Sequence, residues 1–375
     1  MKKNLIVLFG GKSVEHDISI ITALQVIKFV PKDYAVTMVY VQKNGKWCIA
    51  NNLDDIDTYL EFSKNAKKKR EVFLKFGNPY LYCEGTFGVT KLFKVDCALM
   101  CLHGNYGEDG SICASLDMCN IPYTSSSHTS SAICMDKIFA KQILDAENIS
   151  NAKYISFDNF DYKKDKKEIL KRIQNRIGYP VVVKPANLGS SVGISVAKSE
   201  DEIADKIEFA LEFDERILIE EFLQDSNEYN CACISIDGEV ISSKVISVDK
   251  GEIFSFDEKY IDATIKKQKK CKKSIENEIS RLAKRIYILF GCKGVVRIDF
   301  LQKDDKIYVN EINSIPGSLS MHMFSNLSKK ELVDNLINEA KKNAEEKEKH
   351  IFSFESDALR IYKNAFSNAK SKKLN

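Results

Sequence analysis

The sequence predicts an α/β protein made of several open-sheet units, and three observations carry that reading. Strand and helix signals alternate through residues 1–126, the pattern of an open α/β sheet. An apolar strand at Val181–Lys184 runs into a loop rich in glycine and serine. Two alternating segments, 295–301 and 307–313, read as an antiparallel hairpin with a polar turn between them.

Taken in order, Leu5–Phe9 is a continuous apolar run closed by Gly10-Gly11, as expected of a strand buried on both faces. Ile18, Ile21, Leu24 and Ile27 recur at helical spacing. Val36–Val41 reads as a second strand, and residues 51–75, polar and lysine-rich, as a surface insertion. Val95–Leu102 is another buried strand, ending in the loop His103-Gly-Asn-Tyr-Gly-Glu-Asp-Gly110. Ligands of open α/β sheets sit at the carboxyl ends of strands, where both glycine-bearing loops lie. The serine-rich stretch 124–131 marks a boundary, followed by a helix over Ile133–Ala146. After the loop Pro185–Gly193 come a strand at Ile194–Ala197, a helix over 200–213 and a strand at Ile217–Phe222. A third unit has strands at Tyr229–Ile236, Val240–Val248, Gly294–Leu301 and Lys306–Ile312, with a helix near 275–290. Residues 331–375 are helical in pattern and heavily charged.

Composition excludes several classes. Basic residues number 56 and acidic residues 53, so nothing marks a general nucleic-acid or membrane-surface binder. No apolar run approaches the ~18 residues a membrane span requires. The run Leu5–Phe9 is too short for a signal-peptide core. The 11 cysteines include no CxxC pair and read as reduced, buried thiols of a cytoplasmic protein.

The chemistry concentrates in three places. In the hairpin, Arg297 and Asp299 share one strand face, as do Glu311 and Asn313 on the next strand. If the faces match, two carboxylates, a carboxamide and a guanidinium converge, and three hard oxygen donors suit Mg²⁺. The plainer alternative is a solvated strand face carrying a salt bridge. The loop Pro185–Gly193 is not a Walker A loop, yet its glycines, Ser190 and Ser191 can present N–H groups and hydroxyls to phosphate. Lys184 would face it as a half-buried cation; a hairpin turn with a snorkelling lysine fits equally. In Gly10–Ser19, Glu15 can bind an ammonium group or simply belong to a helix N-terminus capped by Ser13. His103 and the loop behind it are similarly ambiguous, since Gly-Glu-Asp-Gly is ordinary turn chemistry.

The order of the motifs decides. Gly10-Gly-Lys-Ser-Val-Glu-His-Asp-Ile-Ser19, His103-Gly-Asn-Tyr-Gly-Glu-Asp-Gly110, Pro122-Tyr-Thr124, Met135-Asp-Lys137, Val183-Lys-Pro185 with Gly189–Gly193, Glu258-Lys-Tyr260, Arg297-Ile-Asp299 and Asn310-Glu-Ile-Asn313 with Pro316-Gly317 follow one another along the chain, within a resemblance that runs from about residue 4 to 345. Together they make the chain resemble the D-alanine–D-alanine ligase family of the ATP-grasp superfamily. The resemblance implies three α/β domains: an N-terminal domain with an open Rossmann-like parallel sheet over 1–126, a central subdomain over 127–223, and a C-terminal subdomain over 224–350. ATP would lie between the last two, and a charged helical tail would occupy 351–375.

By the same resemblance, Glu15 holds the first D-alanine's ammonium, with Ser190 and Tyr260 as hydrogen-bonded companions. Lys137, Lys184 and Lys259 meet the ATP phosphates together with Ser191. Glu220, Phe222 and Leu223 receive adenine, and Glu228 the ribose. Asp299, Glu311 and Asn313 hold two Mg²⁺ ions, with Mn²⁺ as a substitute. Arg297 and the Gly317 N–H stabilise the oxyanion. His103, Ser320 and His322 bind substrate, and residues 245–265 form the lid. A cytoplasmic homodimer without nucleic-acid or membrane partners is the implied setting. One departure concerns the acceptor. After Pro316-Gly317 the family has a Thr, then a Ser preceded by His or Tyr; here Met321 and His322 stand in those last two places. His322 could bind a carboxylate there, or the pocket could suit another amine. The Pro-Ala expected after the lid is replaced by the lysine-rich 266–273, and Ser-Ile-Cys-Ala-Ser at 111–115 replaces a Gln-Gly.

Overall fold

The structure is a computed structural model that describes residues 2–85, 88–248, 271–351, 353 and 355–371. The first sheet has seven strands: β1 Lys3–Gly10, β2 Tyr34–Val41, β3 Trp47–Ile49, β4 Arg70–Leu74, β5 Tyr80–Gly85, β6 Gly88–Lys94 and β7 Cys97–Met100. Their order is β6-β5-β4-β3-β2-β1-β7. Only β1, β2 and β7 are parallel, and they carry the apolar runs that the sequence marks as buried strands. The rest is an antiparallel meander. So the stretch 51–75 is partly sheet rather than a surface insertion. Its composition hides this because only Val72 of β4 is fully buried, with Leu53 packed in the same core.

The second sheet, β10-β9-β11-β8, is antiparallel and built from β8 Tyr154–Asp158, β9 Val181–Pro185, β10 Ser195–Ala197 and β11 Arg216–Glu221. Helices Lys166–Arg176 and Glu200–Leu211 cover it through Ile169, Ile173, Ile203 and Ile207. The third sheet comprises β12 Asn227–Ile236, β13 Glu239–Ser242, β14 Ile246–Val248, β15 Val296–Lys303 and β16 Lys306–Asn313, ordered β13-β12-β15-β16 with β14 also on β12. Helix Lys273–Leu289 packs on it through Ile279, Ala283 and Ile286.

The expected helix over Ile133–Ala146 is two helices, His128–Met135 and Lys137–Ala146. Asp136 leaves the helical region between them (φ −80°, ψ 101°) and accepts the N–H groups of Ile138 and Phe139 at 3.0 Å each. An aspartate that caps a new helix this way ends the old one. The last long helix, Lys329–Glu348, returns to the first sheet. Its Leu332, Val333, Leu336 and Ile337 share a core with Leu5–Phe9 and Leu99.

Candidate active site

The hairpin register is Asp299 opposite Glu311 and Arg297 opposite Asn313, so the polar faces do match. Arg297 donates to both oxygens of Asp299, Nε at 2.7 Å and Nη2 at 2.9 Å. The Asn313 amide donates to Asp299 Oδ2 at 3.1 Å. The register shifts between Asp299 and Phe300, and this bulge puts Asn310 beside Glu311 while Val309 and Ile312 both stay buried. Asn310 Oδ1 accepts from Lys184 Nζ at 3.3 Å. Strict alternation hides Asn310; a bulge at the Asn-Glu pair is what brings it to the working face.

Two helix and strand lysines close on this hairpin. Lys137, the first residue of its helix, lies 3.3 Å from Glu311 Oε1 and donates to the Leu188 carbonyl at 2.6 Å. Lys184, on β9, lies 2.5 Å from Glu220 Oε2. The other Glu220 oxygen meets Lys141 Nζ at 3.0 Å. Burial pushes the Glu220 carboxyl up, but the two ammonium groups outweigh it and hold the pKa at about 2. The Phe222 N–H donates to the Pro180 carbonyl at 3.2 Å, so this amide is already engaged and is not an open donor for a base. Leu223 is buried beside it, and Glu228 lies on β12.

The glycine-serine loop meets Glu15. Ser190 Oγ donates to Glu15 Oε1. A Cβ on Gly189 would come within 2.6 Å of Glu15 Oε2, so any larger residue there would push the Glu15 carboxylate aside. Ser190 and Ser191 both adopt left-handed backbone (φ 53° and 59°) to turn the loop. Glu15 precedes helix His16–Val26 at its N-cap position but caps nothing with its side chain, and Ser13 Oγ accepts its N–H at 3.0 Å. The helix-start reading therefore explains its place, and the contact with Ser190 its carboxylate.

Glu108 and His103 brace the same cleft, which is lined by Glu15, Glu108, Gly189, Glu311, Asn313 and Ser314. Glu108 accepts from the Gly104 N–H at 2.9 Å and the Ile315 N–H at 3.1 Å, joining two loops. Burial and then the Glu15 carboxylate push its pKa up. His103 bonds Thr22 Oγ1 through Nε2 at 2.8 Å, and a hydrogen bond to the Ile315 backbone engages the ring again. Burial pulls its pKa down to about 4, the Ile315 bond opposing and Arg297 assisting. Thr22 Oγ1 also accepts the Ser318 N–H at 3.0 Å. His103 thus supports the turn after Gly317 through Thr22.

That turn is unusual backbone. Ser318, Leu319 and Ser320 in succession are left-handed, with φ of 52°, 47° and 46°. Ser320 is fully buried, and its hydroxyl has no hydrogen-bond partner among the described residues. Met321 is buried as well. His322 is held below the usual imidazole range by desolvation, then by Arg297 and Lys329. Lys259, Tyr260 and most of the expected lid lie outside the described residues. Sequence reasoning left out Thr22, Glu108, Lys141 and Asn310. Glu108 stands in the loop His103–Gly110, whose buried start at the end of a strand is the signal that could have found it.

Comparisons with known proteins converge on one family. A family model described as D-ala D-ala ligase N-terminus matches residues 4–126, and one described as D-ala D-ala ligase C-terminus matches 143–338. A D-alanine--D-alanine ligase of Thermosipho melanesiensis is 35% identical over 373 residues, covering 96% of this chain and 98% of that protein. The D-alanine--D-alanine ligase of Caldicellulosiruptor bescii is 36% identical over 366 residues, covering 92% and 97%. Among solved structures, VanG D-Ala:D-Ser ligase from Enterococcus faecalis superposes with a TM-score of 0.76 at 29% identity, covering 91% of this chain and all of that one. The D-alanine–D-alanine ligase of Coxiella burnetii shares the fold with a TM-score of 0.78 at 24% identity, covering 98% and 99%.

Proposed function

Because the chain belongs to the D-alanine–D-alanine ligase family, we infer that it joins two D-alanine molecules to D-alanyl-D-alanine at the expense of ATP, for peptidoglycan precursors. The observation that carries this most directly is identity above a third with named ligases over nearly the whole chain. The contact of Ser190 with Glu15 supports it, since it joins the phosphate loop to the amino-acid site.

A carboxylate is a poor electrophile, and phosphorylation gives it a leaving group. Glu15 receives the first ammonium, and Ser190 fixes the Glu15 carboxylate against the loop. Lys137 and Lys184 offset the repulsion between triphosphate and substrate carboxylate. Asp299, Glu311 and Asn313 fit a divalent cation by their chemistry, two carboxylates and a carboxamide on paired strands. When bound, Mg²⁺ there would neutralise phosphate charge. Arg297 and the Gly317 N–H serve the oxyanion formed as the second amine attacks; one such donor is worth ~3 kcal/mol. Burial of the cleft limits hydrolysis of the acyl phosphate. The homodimer common in the family belongs to the same reading.

The test is phosphate release with mass spectrometry of the products. D-alanine, ATP and Mg²⁺ give the dipeptide, and chelating the metal abolishes both signals. Mn²⁺ restores them. The stretch Met321-His322 and the likeness to a D-Ala:D-Ser ligase give the second arm its reason: a product formed only when D-serine accompanies D-alanine would move the acceptor. No phosphate with any amino acid would overturn the ligase reading.

A further inference from the structure

One buried group in the site has no part in the reaction described above. Lys141 lies four residues after Lys137 on the same helix, hence on the same face, and is 3% exposed. Its ammonium has three hydrogens, and three acceptors surround it: Glu220 Oε1 at 3.0 Å, Asn151 Oδ1 at 3.2 Å and the Ala152 carbonyl at 3.3 Å. It is saturated inside the protein. Lys184, on the other oxygen of Glu220, is placed differently. Its second partner among the described residues is the neutral Asn310, across the gap to the hairpin.

Two ammonium groups and one carboxylate leave one positive charge over in a buried pocket. A buried charge without full compensation favours an anion. Since Lys141 satisfies Glu220 and cannot reach further, the surplus sits on Lys184. Without Lys141, Glu220 and Lys184 would neutralise each other, and Lys184 would be held where it is.

We propose that Lys141 is a positioning residue for the nucleotide: it is the permanent counter-ion of Glu220, which leaves Lys184 charged and free to turn to the ATP phosphates. This rests on the ATP reading given above, and the experiment separates the two. ATP binding to the full chain is measured by calorimetry without amino acid, alongside the steady-state constants. Lys141→Met weakens ATP binding by about tenfold or more. It raises the KM for ATP, with smaller changes in kcat and in the KM for D-alanine. Lys141→Arg, which keeps the charge, retains most of the affinity. In the Glu220→Gln background, where no carboxylate needs a counter-ion, removing Lys141 costs less than about twofold, since the coupling is gone. If Lys141→Met does not fold, Lys141→Gln replaces it in both backgrounds. Unchanged ATP affinity in the single variant, or an equal loss in both backgrounds, overturns the proposal and leaves Lys141 as packing. Failure of the unaltered protein to bind ATP at all overturns the nucleotide reading instead.

Discussion

His103 shows what burial does to one titrating residue. Its imidazole stays neutral in the folded protein down to about pH 4, whereas the ordinary value is 6.5. The unfolded chain therefore takes up a proton first as the solution is acidified. The stabilisation is complete above pH 6.5 and is lost as the pH falls through about 4, a loss of roughly 3 kcal/mol. Glu108 runs the other way: its raised pKa favours the fold at acid pH and costs stability as the pH climbs through it. His103→Gln keeps a donor and an acceptor for Ile315 and Thr22 but cannot titrate. Urea unfolding from pH 7 to pH 4 should show the unaltered protein losing about 3 kcal/mol more than this variant; parallel curves would refute the neutral-imidazole assignment. At this scale strand alternation is enough to put Arg297, Asp299, Glu311 and Asn313 on facing positions, and the register pairs them so. Asn310 stands in one of the family motifs, but neither its place on the working face nor that of Lys141 was legible. One depends on a bulge that breaks the two-residue period, the other on a lysine turned into the protein, where composition predicts solvent.

Elements were legible in kind and less so at their joints. The long apolar periodicity across 133–146 conceals the break at Asp136, because both half-helices present apolar residues to the same core: Cys134 from one, Ala140 and Leu144 from the other. Asp136 also pairs with Arg216 at the start of a strand of the second sheet, so the cap and a helix-to-sheet tie reside in one side chain. Asp136→Ala should cost between about 1 and 3 kcal/mol, and Asp136→Asn, which keeps the cap, should recover about 1 kcal/mol of that. Denaturant midpoints check both, and equal losses in the two variants would reject the cap. The three left-handed residues after Gly317 had no sequence signal either. They are serine and leucine rather than glycine, held by Thr22 and Gln25 from the first unit.

For the whole molecule, the sequence marks three units, but the cores do not follow its boundaries. The first sheet is finished by Ala232, Ile234 and Val295 from the third unit and by the helix Lys329–Glu348, whose Lys341 also donates to Tyr34 Oη at 2.8 Å. Such long-range packing leaves no local pattern, since each partner reads only as an amphipathic element. Two truncations follow from it. Ile351, Leu359 and Ile361 are largely exposed, so removing residues 351–375 should leave the urea midpoint unchanged, with only the ellipticity of the helix Ala358–Ser371 lost. Stopping at residue 328 strips Leu332, Val333, Leu336 and Ile337 from the core. At about 1.5–3 kcal/mol each, that rivals the stability of a whole domain, so the shortened chain should not fold cooperatively. A cooperative transition in it would show the first sheet to be self-sufficient. The docking of Lys329–Glu348 also bears on biosynthesis. Strand β1 waits for a helix that leaves the ribosome only after all three sheets, so the first layer keeps an apolar flank uncovered through the synthesis of the other two.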